Sequence, residues 1–305
     1  MEFFILCYFR LILNAVWPYK VMNKITLLIH CKDRSGIIAS VTNFIAQQSG
    51  NIVYIDQHVD REQNIFFMRL ESEFESESFS FESFKGRFED MLANTFHMKW
   101  RMYAAETKPK MALFVSKYDH CLYDILGRFN SGELKVEIPF IISNHNDLRP
   151  IADSFKIPFH HIPVTTETKA EAEKKQLELL ESHQVDFIVL ARYMQIVSET
   201  IIEKYPNKII NIHHSFLPAF IGARPYHSAY KRGVKIIGAT SHYITDELDA
   251  GPIIEQDVTR VSHSHSIEDL IAKGRDLEKI VLSNAIKLHV NRKVMVYNNK
   301  TVIFS

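Results

Sequence analysis

The sequence predicts two domains, an α+β ferredoxin-like unit followed by a doubly wound, mostly parallel α/β unit. Three observations carry this. Residues 24–102 run in the order strand, helix, strand, strand, helix, strand. After them, near-continuous apolar runs at 111–115, 139–142 and 185–191 alternate with helical stretches, as strands covered on both faces of a parallel sheet do. Finally, the strand expected at 208–212 leads into Asn211, Ile212 and His213, polar groups where a doubly wound sheet places its ligand site.

In the first unit, residues 25–29 read as a short apolar strand. Ile37, Ile38, Val41, Phe44 and Ile45 then recur at helical spacing, and Gly50 ends that helix. Residues 51–59 and 65–70 make a hairpin around 60–63, residues 72–83 a polar loop rich in Ser and Glu, and 84–92 the second helix. Residues 104–110, with Glu106, Lys108, Pro109 and Lys110, read as a linker. In the second unit the helix around 171–180 opens on a capping-box pattern, Thr168 with Glu171. Ser266 opens a long helix to residue 289, and 294–304 reads as a hairpin turning at Asn298 and Asn299.

Composition excludes several function classes. Acids and bases cancel at 36 each, so the chain as a whole has no electrostatic pull toward nucleic acid. Cys7, Cys31 and Cys121 are odd in number and far apart; they suggest neither a disulfide framework nor a zinc cage and suit a reducing cytoplasm. His160 with His161, and His263 with His265, share no helix face and lack a completing Cys or carboxylate, so no metal is expected. The amino-terminal apolar run breaks at Arg10, short of the roughly 20 residues a membrane helix needs, and lacks the basic start of a signal peptide. Met22, Asn23, Lys24 reads as the natural start, with 1–21 an upstream extension.

Period two puts Asn211 and His213 on one face of their strand and Ile210 and Ile212 on the other. An amide and an imidazole there suit acyl transfer, in which a carbonyl under attack needs a donor for its oxyanion and a group that exchanges a proton near neutral pH. Asp249, ahead of Ala250 and Gly251, offers a carboxylate to orient the imidazole and move protons.

The string Asn211, Ile212, His213, His214, Ser215, Phe216, Leu217, Pro218, with the later Asp249, resembles the active-site motif of the formyltransferase family that uses 10-formyltetrahydrofolate. His242 matches a further family histidine on the strand leading to the Asp loop. The resemblance is strongest to the branch with an amino-terminal ACT domain, the formyltetrahydrofolate deformylases. It extends from about Ile25 to Phe304 through Asp33, Arg34, Ser35, Gly36, through Asp56, Gln57, His58, through Phe66, Phe67, Met68, Arg69, and through Ala191, Arg192, Tyr193, Met194, Gln195.

The resemblance implies an ACT domain at 22–103 and a formyltransferase-like catalytic domain at 111–305. It implies hydrolysis of 10-formyltetrahydrofolate to formate and tetrahydrofolate in the cytoplasm, supplying formate for purine biosynthesis and balancing one-carbon folate pools, with no cofactor. The catalytic residues would be Asn211, His213 and Asp249, supported by His242, and the pterin would sit against Arg192, Tyr193, Met194 and Thr245, Asp246, Glu247. ACT domains pair, which implies a homo-oligomer, and bind small amino acids; glycine or methionine would bind near Asp33, Arg34, Ser35 and Gly36, where a helix start favours a carboxylate. The plainer reading makes Gly36 a turn residue only.

Relatives that formylate glycinamide ribonucleotide follow the first strand of this domain with a glycine-rich loop that lets backbone amides reach a phosphate. Here the loop is Ser116, Lys117, Tyr118, Asp119, His120, Cys121, with an acid and no glycine. Water is then the expected acceptor, with Asp249 drawing its proton and Asn211 and protonated His213 donating to the oxyanion. Two alternatives stand beside it: a transferase giving formyl to an amine such as glycinamide ribonucleotide, and an amino-acid sensor that binds folate without catalysis. The glycine-free loop counts against the first, the intact Asn211, His213 and Asp249 against the second.

Overall fold

The computed structural model describes residues 22–75, 79–104, 107–219 and 225–305. The expected upstream extension, 1–21, lies outside them, as do residues 105–106 of the expected linker. The chain divides into two units, Met1–Thr107 with Phe304–Ser305, and Lys108–Ile303.

The first unit runs β1 (Met22–Lys32), α1 (Ile37–Gln47), β2 (Asn51–Asp60), β3 (Ile65–Glu75), α2 (Phe81–Phe88) and β4 (Lys99–Ala104). Its sheet is antiparallel in the order β2-β3-β1-β4, the ferredoxin-like arrangement the sequence predicts. Leu27 and Ile29 of β1 and Phe66, Met68 and Leu70 of β3 alternate onto the face that meets Val41, Phe44, Ile45, Phe84 and Phe88 of the helices. Both central strands outrun expectation. Met22 pairs opposite Glu75 and Lys32 opposite Ile65, so residues 72–75, expected in a loop, continue β3. Phe74 there fills the core and Lys24 pairs with Glu73, a pattern of alternation that a polar composition hides.

The second unit holds β5 (Met111–Val115), α3 (His120–Asn130), β6 (Ile141–Ser143), α4 (Arg149–Ser154), β7 (Phe159–His161), α5 (Lys169–Ser182), β8 (Phe187–Ala191) and α6 (Glu199–Lys204). After these come β9 (Ile209–His213), α7 (Pro225–Arg232), β10 (Ile236–Tyr243), β11 (Ile253–Arg260), α8 (Ile267–Val290), β12 (Val294–Tyr297) and β13 (Lys300–Ile303). The order β11-β10-β9-β8-β5-β6-β7 is parallel from β9 through β7; β10 runs antiparallel to both its neighbours. Leu113, Val115 and Val189 pack with α3 and α8 on one face, and Phe114, Ile188 and Leu190 with α5 and α6 on the other. Helices on both faces explain why every residue of β5 and β8 is buried.

The expected capping box at Thr168 does not form. Thr168 and Thr165 exchange hydrogen bonds with each other, and Glu171 turns outward to Lys175. The box lies at α8 instead, where the Ser266 hydroxyl accepts from Asp269 N–H and the Asp269 carboxylate accepts from Ser266 N–H. Ser266→Ala is therefore expected to cost about 1 kcal/mol and Glu171→Ala to leave stability nearly unchanged, read by urea unfolding of each variant.

Candidate active site

β9 delivers Asn211 and His213 to the carboxyl end of the sheet, and the antiparallel register of β10 sets His242 opposite Asn211. The chain then turns back through residues 244–250, with Asp249 in the left-handed region at φ 56°. Gly251 permits this return, because a Cβ there would lie 1.8 Å from the Tyr243 carbonyl oxygen. The turn brings Asp249 Oδ2 to 3.2 Å from His213 Nδ1 and Oδ1 to 3.7 Å from His242 Nε2. Asn211 Nδ2 lies 3.2 Å from His242 Nε2, and His242 Nδ1 lies 2.9 Å from the Tyr243 carbonyl.

Proton positions follow from what each partner can do. A carbonyl only accepts, so His242 carries its proton on Nδ1, and its bare Nε2 accepts from the Asn211 amide. His242 therefore orients Asn211 directly, and at 3.7 Å it is an electrostatic neighbour of Asp249 rather than a hydrogen-bond partner. A carboxylate likewise only accepts, so His213 donates Nδ1–H to Asp249. That leaves His213 Nε2 buried and without a partner among the described residues. Asp249 is held well below the usual carboxylate range first by its hydrogen bond with His213, against the opposing effect of burial.

These groups face a cavity of about 390 Å³ whose wall includes Arg192, Tyr193, Met194, Thr245 and Asp246. Glu247 does not line it: its side chain is exposed, and its carbonyl closes the turn by accepting from the Thr245 hydroxyl. Met194 is half exposed and its N–H donates to the Ser116 hydroxyl, which in turn donates to Asn144. The Tyr193 ring meets Phe114 edge-on and its hydroxyl accepts from Gln176; burial pushes its pKa up to about 12. Ile196 and Leu248 also line the cavity and are 64% and 63% exposed. Sequence reasoning missed both because they lie in irregular segments with no period.

Arg192, expected at the pterin, sits at φ 62° with its guanidinium committed elsewhere. It donates to His214 Nδ1, approaches Glu278 at 3.4 Å and lies over the Tyr118 ring. His214 stacks on His213 with ring centres 5.3 Å apart. Burial, then the Arg192 charge, pushes its pKa down to about 4. His214 stood in the motif, but nothing in its spacing marked it as a support for His213.

In the first unit, Gly36 has φ 92° and α1 starts without a side-chain cap. Arg34 donates to the Thr95 carbonyl and lies over the Phe96 ring, and Asp33 N–H donates to Asn64. The described cysteines, Cys31 and Cys121, are free and buried, and burial raises both thiols. No described helix is long and apolar enough to cross a membrane.

Comparison with known proteins agrees with this geometry. A family model described as formyl transferase matches residues 109–286, and one described as ACT domain matches residues 25–77. Fold and site thus define a formyl transferase family enzyme behind an ACT domain. The formyltetrahydrofolate deformylase of Synechocystis sp. is 51% identical over 92% of this chain and 98% of that protein. The crystal structure of a formyltetrahydrofolate deformylase from Pseudomonas syringae pv. tomato superposes with a TM-score of 0.90 at 44% identity, covering 98% of this chain and 100% of that one. A glycinamide ribonucleotide transformylase from Symbiobacterium toebii is more distant, with a TM-score of 0.63 at 26% identity over 67% of this chain and 97% of that one. The chain belongs to the formyltetrahydrofolate deformylase family.

A histidine that titrates near 6.5 when unfolded and about 4 when folded binds a proton preferentially in the unfolded chain between those values. Stability should thus fall on acidification across this window, by on the order of 3 kcal/mol from this group. The loss should shrink in His214→Gln, measured by urea unfolding at a series of pH values. Gly251→Ala should displace Asp249 and lower turnover at least about tenfold without unfolding the sheet, since small errors in catalytic geometry are costly; steady-state kinetics beside circular dichroism checks both halves.

Proposed function

We infer that this chain hydrolyses 10-formyltetrahydrofolate to formate and tetrahydrofolate, releasing formate for purine synthesis and rebalancing one-carbon folates. One observation carries the mechanism: His213, a residue of the cavity wall, turns Nδ1 to Asp249 and leaves its buried Nε2 without a partner among the described residues. Nε2 accepts a proton from water as its oxygen attacks the formyl carbon. The second N–H of Asn211, free because the first is given to His242, donates to the oxyanion. Collapse breaks the bond to N10, which takes the proton back from Nε2. Asp249 stays ionised and compensates the imidazolium; its depressed pKa makes it a weaker proton acceptor than the sequence-based mechanism assumed. Folate is substrate here, and the scheme uses no cofactor.

Water as acceptor is supported by the loop after β5. It carries no glycine among Ser116 to Cys121, which counts against a phosphorylated amine. The assembled Asn211, His213 and Asp249 count against a folate sensor without catalysis. The half-exposed Met194 and the exposed Ile196 and Leu248 offer an apolar surface for the pterin and benzoyl rings, with Thr245 and Asp246 at its polar edge. A cytoplasmic setting fits the buried, reduced Cys31 and Cys121. The first unit is a sensor for glycine or methionine at Asp33, Arg34, Ser35 and Gly36, formed where two copies pair in a homo-oligomer. The uncapped start of α1 supports it.

Purified chain should release formate from 10-formyltetrahydrofolate with no amine present and with a chelator added; release that requires glycinamide ribonucleotide would contradict this. Asp249→Asn should bind folate normally but turn over at least about a hundredfold more slowly, because the imidazolium loses its counter-charge. Glycine or methionine should change the rate through a coupling of about 1 to 3 kcal/mol, and Asp33→Ala should weaken that response without altering the basal rate. An unchanged response in that variant would place the effector elsewhere.

A further inference from the structure

One buried carboxylate lies outside the reaction scheme. Glu278 sits in the middle of α8, 1% exposed, beside the core residues Leu277, Val281 and Leu282. A lone acid on an apolar helix face has to be fully partnered to stay charged. Glu278 is: Oε2 accepts from His120 Nε2 at 2.8 Å and lies 3.4 Å from Arg192 Nε as an ion pair without a hydrogen bond, while Oε1 accepts from the Tyr226 hydroxyl at 2.7 Å. Burial alone would push its pKa up; the hydrogen bond from His120 and the charge of Arg192 more than offset that, and it is lowered.

The surroundings are shaped for this contact. Gly274, one turn earlier on α8, leaves the space that the Tyr226 hydroxyl fills, since a Cβ there would lie 2.1 Å from it. His120, Cys121 and Glu278 offer ligand atoms within 4.8 Å of one another, but the Arg192 guanidinium already supplies the positive charge at that carboxylate. The cluster thus reads as an ion-pair network. Its outlet toward the active site is Arg192, whose other end donates to His214, and His214 stacks on His213.

We propose that Glu278 is a positioning residue of the hydrolytic site: its carboxylate fixes Arg192, and Arg192 fixes the neutral ring of His214 against which His213 is held. This rests on the hydrolytic reading above for its kinetic consequence, though not for its spectroscopic one. Removing the charge leaves a buried guanidinium free to shift, and the His213 ring loses its backing while the cavity wall at Met194 and Leu248 remains. Turnover should suffer more than substrate affinity.

The test uses the full chain and two readouts, kcat and KM for 10-formyltetrahydrofolate and the titration of the His214 ring by NMR. The charged and titratable groups around that ring are Arg192, His213, Tyr226, Asp249 and Glu278. Glu278→Gln should lower kcat at least tenfold with KM within threefold, and His214 should titrate at higher pH, because the Arg192 charge that moves off it outweighs the raising influence of the Glu278 charge lost in the same substitution. Tyr226→Phe, which spares the Glu278–Arg192 pair, should keep kcat within threefold. Wild-type kcat in Glu278→Gln, or a kcat loss with the His214 titration unmoved, would overturn the proposal. If Glu278→Gln does not fold, Arg192→Lys replaces it with the same expectations and the same overturning results, because a lysine can reach Glu278 but lacks the fork to hold His214 as well. Absence of formate release from the unmodified chain would instead defeat the hydrolytic reading, and the NMR arm would still decide the positioning claim.

Discussion

The catalytic arrangement depends on one cross-strand register, the antiparallel pairing of β9 with β10 that sets His242 opposite Asn211 and Thr240 opposite His213. Because side chains alternate, a slip of one residue would turn Asn211 and His213 into the core and Ile210 and Ile212 into the cavity. Burial fixes the register from one side, where Ile210, Ile212, Ala239 and Tyr243 join the same core. Hydrogen bonds hold it on both faces: Ser241, on the core side, donates to the Asn211 carbonyl, and on the other side Thr240 donates to the Ser215 carbonyl and Gln256 to Thr240. The one reversed strand next to the parallel set thereby carries His242 to the same end of the sheet as Asn211 and leads directly into the loop that returns Asp249.

Charge is arranged around that register in two layers. Near the cavity, the Asp249 carboxylate, 12% exposed, meets His213. Behind it, Glu278 and Arg192 form a second pair, joined to the first through the stacked rings of His214 and His213. A buried ion pair contributes little net stability against its desolvation cost, whereas a charge left single there is expensive. Such pairs are better understood as fixing geometry, and here the geometry they fix is that of one imidazole.

Much of this was legible in the sequence. Strands covered on both faces are apolar throughout, so β5 and β8 could be read directly, and the motif from Asn211 to Pro218 located the site. The Asn298 and Asn299 turn was equally readable, since both residues adopt positive φ. What could not be read depended on long-range partners. The polar ends of β1 and β3 are strand only because they pair with each other. Arg192 stood in a recognisable segment, but the direction of its guanidinium is set by Glu278, 86 positions later (278 − 192). Glu278 itself left a faint signal, a single acid at a core position of a long helix. The Thr168 box failed because Thr165, three residues upstream, competes for the same groups.

The most direct measurement is the origin of the oxygen in the product. Turnover of 10-formyltetrahydrofolate in water enriched with heavy oxygen should give formate carrying one solvent oxygen atom, formed at a rate that falls together with kcat in His213→Ala. Formate without solvent oxygen, or a formylated amine in its place, would contradict attack by water at Asn211, His213 and Asp249.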